Sequence, residues 1–411
     1  MMSVLVSEKV GRVMGYSWLR IGVFILAVVL FCSGSPQSAS ARYEGEIRVG
    51  GIFDLTGAFG IEGKLYAEGV LDYVRYVNEA KGGIKHQKLT VLVADAQYEL
   101  HQAVEAYRKF TSQDQVVAIL GWGTADVEAM GAMFSKDEIP YLSASYSMQL
   151  ADASKFPYVF IGATSYSTQA RVACQFVKMD WKRWAERPPR IAFMYTNDGF
   201  GRSPIPAGKA EAATLGITLA GDHIINLLAV DTGDQLREME KEGVDYLIIQ
   251  SNMMTSAMVA KDLRALKLGT KMICLNSAID EMWLDLVKEA GEGVYGCIPY
   301  ALWSDENLPG VRLMHQVGNK YHRNIRTRPC QYVQGFVAAM LLEEALKRVP
   351  TKPTGKQIRE AFETFRNVDT GGLLPPVTYT PASHEPCNSL RIYQVKKGKL
   401  VPVTNYITVG R

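Results

Sequence analysis

The sequence predicts an α/β protein built from two doubly wound lobes. Short apolar runs of strand character alternate with longer amphipathic stretches along nearly the whole chain. Polar or Gly-rich turns follow the apolar runs, where such folds place their ligand-binding edge. The 411 residues also exceed what one comfortable hydrophobic core accommodates.

The first unit is Glu46–Ile84. Ile47–Phe53 reads as a strand and Asp54–Gly60 as a polar turn forming one wall of a cleft, with Glu62 near its rim. In the helix that follows, Tyr66, Val70, Tyr73, Val77 and Ala80 recur at spacings of four and three, one buried stripe. Gly82-Gly83 supplies a left-handed stop. Strands follow at Leu89–Ala94, Val116–Leu120, Tyr141–Leu142 and Val159–Ile161, then at Ile191–Tyr195, Ile217–Ala220, Tyr246–Ile249 and Met272–Leu275. Strands alternating with helices imply βαβ units and parallel sheets covered on both faces. Near residue 300 the pattern changes. Helices around 308–323, 330–348 and 354–365 follow one another, then two strand-like runs, Leu390–Val395 and Leu400–Val403. The early series fills two sheets in succession and the later segment packs back onto them. The chain therefore crosses between lobes several times, which makes a hinge and a cleft.

Residues 1–41 read as an export signal. Lys9, Arg12 and Arg20 form a basic start, Ile21–Phe31 is an apolar run, and Ala39-Ser40-Ala41 fits a cleavage site. The apolar run is shorter than the roughly 20 residues that a membrane span needs. An uncleaved anchor and lipid attachment at Cys32 are the weaker alternatives. Cleavage after Ala41 leaves 42 basic against 41 acidic side chains, a net of +1. That balance gives no footprint for nucleic acid. The clusters Arg183, Arg187, Arg190 and Arg323, Arg326, Arg328 read as solvated faces. Five cysteines remain, with neither C-x-x-C spacing nor clustering with histidine, so no zinc site is expected. Either Cys330 pairs with Cys387, or all five are buried thiols.

The chain contains no G-x-S-x-G elbow, no H-E-x-x-H and no Walker A loop, and its six histidines are scattered. No catalytic residue, metal or cofactor is therefore expected. What remains are turns at the ends of predicted strands. Gly121-Trp122-Gly123-Thr124 runs into a helix, whose free N–H groups suit a carboxylate, and Thr124 adds a hydroxyl. Ser143-Ala144-Ser145-Tyr146-Ser147 is a run of hydroxyls able to donate to the same oxygens. The plainer reading of each turn is helix capping. Both together, after neighbouring strands, favour a site. Trp122, Tyr146, Tyr166, Phe200 and Tyr332 are candidates to line an apolar cleft around that anchor, or else are ordinary core.

At these residues the chain resembles the type I periplasmic binding proteins of ABC importers, in particular the leucine/isoleucine/valine-binding family. Carrying segments are Leu55-Thr56-Gly57-Ala58, the helix end Val77-Asn78-Glu79-Ala80-Lys81-Gly82-Gly83-Ile84, Ile139-Pro140-Tyr141-Leu142-Ser143, Asp198-Gly199-Phe200-Gly201 and Tyr332-Val333-Gln334-Gly335-Phe336. The resemblance implies two Rossmann-like lobes joined by three hinge strands. Lobe 1 would comprise 42–165 and 301–389, and lobe 2 166–300 and 390–411. It also implies a periplasmic, monomeric, non-enzymatic protein that delivers a small solute to membrane permease subunits, or a sensor of the same fold. By the same resemblance Gly123–Asp126, with Thr124, and Ser143–Ser147, with Ser145 and Ser147, hold a ligand carboxylate. Phe200 is an aromatic lid, and Met253 and Met254 lie near further contacts. An acid for the ligand ammonium is expected after Met272–Leu275, but the chain reads Asn276-Ser277-Ala278-Ile279-Asp280. Asp280 and Glu281 come a little late: Asp280 is kept as a candidate ligand contact, the alternative being that both face solvent on a helix. Asp126 either accepts an ammonium or complements its helix dipole and points away. The departure leaves open a branched-chain amino acid, an amide, urea or an aromatic acid.

Overall fold

The computed structural model describes residues 43–226, 229, 231–323 and 327–410. The predicted export signal at 1–41, Cys32 and Arg326 lie outside them. The elements run β1 (Gly45–Phe53), α1 (Gly60–Lys81), β2 (Gln87–Asp95), α2 (Leu100–Ser112), β3 (Ile119–Gly121), α3 (Ala125–Asp137), β4 (Tyr141–Ser143) and β5 (Val159–Ile161). Next come α4 (Tyr166–Asp180), β6 (Arg190–Thr196), α5 (Gly199–Arg202), α6 (Ile205–Thr214), β7 (Thr218–Ile225), α7 (Gly233–Lys241) and β8 (Tyr246–Gln250). The series continues with α8 (Met253–Ala265), β9 (Lys271–Cys274), α9 (Glu281–Val287) and β10 (Tyr295–Ile298). It ends with α10 (Pro309–Tyr321), α11 (Cys330–Lys347), α12 (Gly355–Glu363), β11 (Ser389–Lys396), β12 (Lys399–Pro402) and β13 (Ile407–Thr408).

The first lobe is a parallel sheet of order β2-β1-β3-β4-β5. The second is an eight-stranded sheet of order β12-β11-β10-β9-β8-β6-β7, with β13 paired to β11. It is parallel except at β11, which runs antiparallel to β10, β12 and β13. The chain passes between the sheets three times, after β5, after β10 and before β11. The crossings are tied together: Glu385 accepts from Ser165 N at 3.1 Å and Thr168 Oγ1 at 2.8 Å, and Thr164 Oγ1 donates to Ser389 O. Strand order reverses at β1/β3 in the first lobe and at β6/β8 in the second. At such switch points the following turns splay apart and leave a crevice.

Helices α1 and α11 pack together over the first sheet. Gly69 and Gly335 permit their close crossing, since a Cβ at Gly335 would collide with the Tyr66 carbonyl and one at Gly69 with the Tyr332 carbonyl. The crossing is pinned by Glu343 of α11, buried and bonded to Lys81 Nζ at 2.8 Å and to Tyr73 Oη at 2.5 Å. Helix α1 ends where Gly82 adopts φ 72°. Of the predicted stripe, Tyr66, Val70, Tyr73 and Val77 are buried, while Ala80 is exposed.

Several expectations need correction. The strand expected at Val116–Leu120 lies at Ile119–Gly121, and β10, which the sequence reading passed over, is a central strand. All five cysteines among the described residues are buried thiols with no disulfide. Cys387 shares a hydrogen bond with Thr164 Oγ1, and Cys330 Sγ lies 3.6 Å from Glu281. Arg328 is buried rather than solvated: it donates to Glu68 at 2.7 Å and covers the Tyr332 ring.

Candidate functional site

The turns at the two switch points meet around a partly open cavity. From the first lobe it is lined by Phe59, Glu62, Tyr98, Trp122, Gly123, Thr124, Ala144 and Ser145, with Gln331 and Gln334 of α11. Tyr166 lies at the start of α4, and Phe200, Asn276 and Ser277 come from the second lobe. The lobes are closed on this space. The Phe59 and Phe200 rings approach to 5.9 Å, and Ser203 Oγ donates to Ser147 Oγ at 3.1 Å across the entrance.

Local structure explains why these side chains meet. The turn after β1 is held by Asp95, which accepts from Leu55 N at 2.9 Å and Thr56 Oγ1 at 2.7 Å. Asp54 in turn accepts from Tyr98 N at 2.8 Å, which brings the Tyr98 ring against that of Phe59, tilted, at 4.7 Å between centroids. Gly57, at φ 80° with the Gln97 carbonyl against it, makes the tight bend. Burial pushes Asp54 up to about 7. In the second lobe Asp198 caps α5 by accepting from Gly201 N at 2.7 Å, which fixes Phe200. Gln250 Nε2 then donates to the Phe200 carbonyl.

Thr124 and Ser145 are the central pair. Their hydroxyl oxygens lie 2.6 Å apart, both buried. Thr124 stands at the N-cap of α3 and its side chain makes no capping bond. The Tyr166 hydroxyl reaches Ser145 and Ser277, joining the two lobes. This cluster offers hydroxyl donors to an acceptor-bearing ligand. The helix N-terminus is less available than expected. Asp126 turns back and accepts from its own N–H and that of Val127, and burial pushes it up to about 6. It does not line the cavity.

The opposite wall is acidic. Glu62 is buried in the wall rather than near the rim, and burial, with Asp280 nearby, pushes it up to about 7. Asp280 is fully buried, so the solvent-facing alternative does not hold. It caps α9 by accepting from Trp283 N at 2.7 Å, and burial pushes it up to about 6. Glu281 beside it is likewise raised to about 7 by burial and by Asp280.

Of the predicted site residues, Glu62, Trp122, Gly123, Thr124, Ser145, Tyr166, Phe200 and Ser277 come together at the cavity. Asp126, Ser143, Tyr146, Ser147, Met253, Met254, Asp280 and Tyr332 do not line it. Ser143 Oγ accepts from Ser145 N and so shapes the turn. The Tyr146 hydroxyl pairs with that of Tyr300. Ser147 bridges Ser203 and Glu128. Met253 is buried under α8, whereas Met254 is 51% exposed. Tyr332 points to the far side of α11, where it donates to Asp72 at 2.9 Å. There the nitrogen of His322 and carboxylate oxygens of Glu68 and Asp72 lie within 4.8 Å of one another, and Arg328 already supplies Glu68 with a positive partner.

The sequence reading missed Phe59, Tyr98, Ala144, Asn276, Gln331 and Gln334. Phe59, Ala144 and Asn276 lay inside turns already singled out. Gln331 and Gln334 left a clear trace: two amides three apart in α11, a helix that is otherwise apolar in this half.

The sequence profile described as periplasmic binding protein matches residues 46–399. The structure is similar to a branched chain amino acid ABC transporter protein from Thermus thermophilus with bound valine. The TM-score is 0.83 and identity 22%, over 89% of this chain and 97% of that one. A substrate binding protein of an ABC transporter from Aeropyrum pernix gives 0.80 and 27% over 89% and 97%. A fatty acid ABC transporter substrate-binding protein from Thermomonospora curvata gives 0.78 and 22% over 89% and 93%. Among curated proteins, Glutamate receptor 2.4 of Arabidopsis thaliana is 25% identical over 223 residues, 51% of this chain. That match covers only 24% of the receptor's length.

Proposed function

The chain belongs to the periplasmic binding protein family, and from that premise we propose that it captures a small amino-acid-like solute between its lobes for an ABC importer. It is a binding protein and not an enzyme, as its family and structural neighbours are. The observation that carries the reading is the Thr124–Ser145 hydroxyl pair, in which Thr124 makes no capping bond, lining a cavity that aromatic side chains of both lobes also line. Thr124, Ser145, Tyr166 and the Gly123 backbone hold the solute's carboxylate, and Phe200 closes over it. Ligand contacts from both lobes favour the closed state. Export by residues 1–41 places the protein in the periplasm as a monomer, where it hands the solute to permease subunits and has no business with nucleic acid.

A sensor of the same fold, working with a separate signalling partner, is the second reading, and the likeness to a plant receptor favours it. Uptake of the solute that is lost on deleting the gene separates importer from sensor.

The test is native mass spectrometry of the purified protein, then a thermal-shift panel of amino acids, amides and aromatic acids. A ligand that binds only the folded state raises its melting temperature. We expect an intact bound solute and a shift from amino acids. Turnover of the bound solute, or no shift from any class, contradicts the proposal.

A further inference from the structure

The acidic wall of the cavity has a chemistry that the hydroxyl pair does not explain. Gln331 and Asn276 line it at 5% and 7% exposure, and Gln331 Oε1 and Asn276 Oδ1 have no hydrogen-bond partner. Behind them Asp280 is fully buried and accepts from Trp283 N at 2.7 Å and from the Gln331 side chain, which leaves the Gln331 oxygen turned away from it. Glu62 lines the same space from α1. Among the described residues no lysine, arginine or histidine lines the cavity. Buried acceptors left unpaired lose their water hydrogen bonds without replacement, so this wall calls for a donor from outside the chain. The remaining walls include the rings of Phe59, Tyr98, Trp122, Tyr166 and Phe200. Aromatic faces attract a cation and offer nothing to an anion.

We propose that the cavity selects solutes carrying a positively charged nitrogen with N–H donors, received by Glu62 of the first lobe together with the amide oxygens of Gln331 and Asn276. Glu62 is then the specificity-determining residue, and its position is the notable part. The acid lies on α1, while Asn276 occupies the turn after β9 of the second lobe where an ammonium partner was expected. A nitrogen bound there joins one lobe to the other, so ligand charge contributes directly to closure. Carboxylic acids without an amine leave Glu62, Gln331 and Asn276 unpaired and are rejected. An isolated hydroxyl-lined pocket would accept both classes alike. The inference rests on the solute-binding reading above and narrows it to amines.

The test compares matched probes by thermal shift and calorimetry: L-leucine against 4-methylpentanoate, L-phenylalanine against 3-phenylpropionate, with putrescine as an amine lacking a carboxylate. We expect at least one amine to bind, its deaminated counterpart to bind at least tenfold more weakly, and Glu62→Gln to bring the two within about threefold. Equal binding of acid and amine by the unaltered protein overturns this inference and leaves the solute-binding reading standing. So does a Glu62→Gln protein that still prefers the amine. No binding of any probe counts against both. Glu62→Gln is checked by its ligand-free melting. If it does not fold, Asn276→Leu carries the same test from the other lobe.

Discussion

Glu62 on α1 and Asp280 at the start of α9 are two buried carboxylates from opposite lobes, near enough for the charge of Asp280 to act on Glu62. Asp280 raises Glu62 further beyond what burial does. Like charges brought together from two lobes oppose closure until a proton or a ligand cation lies between them.

That relationship sets a pH dependence. Glu62 rises from 4.5 to about 7, and Asp54 and Asp280 rise as well. A carboxyl group whose folded pKa is raised binds more protons in the folded state, so stability falls as pH rises between the two values. At about 1.4 kcal/mol per unit, Glu62 alone accounts for up to roughly 3 kcal/mol of that loss. Ligand-free protein should therefore melt higher at pH 5 than at pH 7.5, and Glu62→Gln should flatten the slope. Melting curves across this range check it, and a melting temperature that climbs steadily from pH 5 to 7.5 contradicts it. At the acid end, as pH falls below the ordinary value of 4.5, stability drops instead, because Glu343 and Glu363, held low by basic partners and hydrogen bonds, take up protons and lose those contacts.

The α1–α11 crossing predicts a distant effect on the site. Gly335→Ala drives a methyl group into the Tyr66 carbonyl and forces the helices apart. Overpacking of this kind costs about 1–3 kcal/mol. It should also weaken ligand binding, because Glu62 rides on α1 and Gln331 and Gln334 on α11. Urea denaturation and calorimetry on one variant measure both effects. A stability loss with unchanged affinity detaches the crossing from the site.

The buried thiols predict their own labelling pattern. Burial raises Cys174 to about 12 and Cys330 well above the usual range. Thiol alkylation of the native protein without reductant should be slow at all five positions. In denaturant all five should react, as counted by mass. Two fewer would restore the Cys330–Cys387 pairing.

Much of the fold was legible because its period signals are strong. The alternating strands and the α1 stripe follow from burial on one face, and Gly82-Gly83 from a left-handed stop that only glycine adopts cheaply. Strand β10 escaped because Tyr295–Ile298 is four residues long and follows glycines, and its identity comes from pairing with β9 and β11. At the site, Thr124 and Ser145 were legible as hydroxyls in turns after adjacent strands. Glu62 was visible but misplaced, because only the α1–α11 crossing shows that it turns inward. For Asp280 both ligand contact and solvent stayed open, because a cap position does not reveal how deeply its helix start is buried. Tyr146 and Tyr332 show the converse. Their aromatic character was plain, but where their hydroxyls go is decided by Tyr300 and Asp72, far away in sequence.

The most direct test of the central claim is calorimetric titration of the tightest-binding amino acid into the unaltered protein and into Thr124→Ala and Ser145→Ala. Each substitution removes a hydroxyl donor to a charged group and should weaken binding by about 1–3 kcal/mol, with the fold intact. Unchanged affinity in both variants would contradict the assignment of this hydroxyl pair as the anchor of the site.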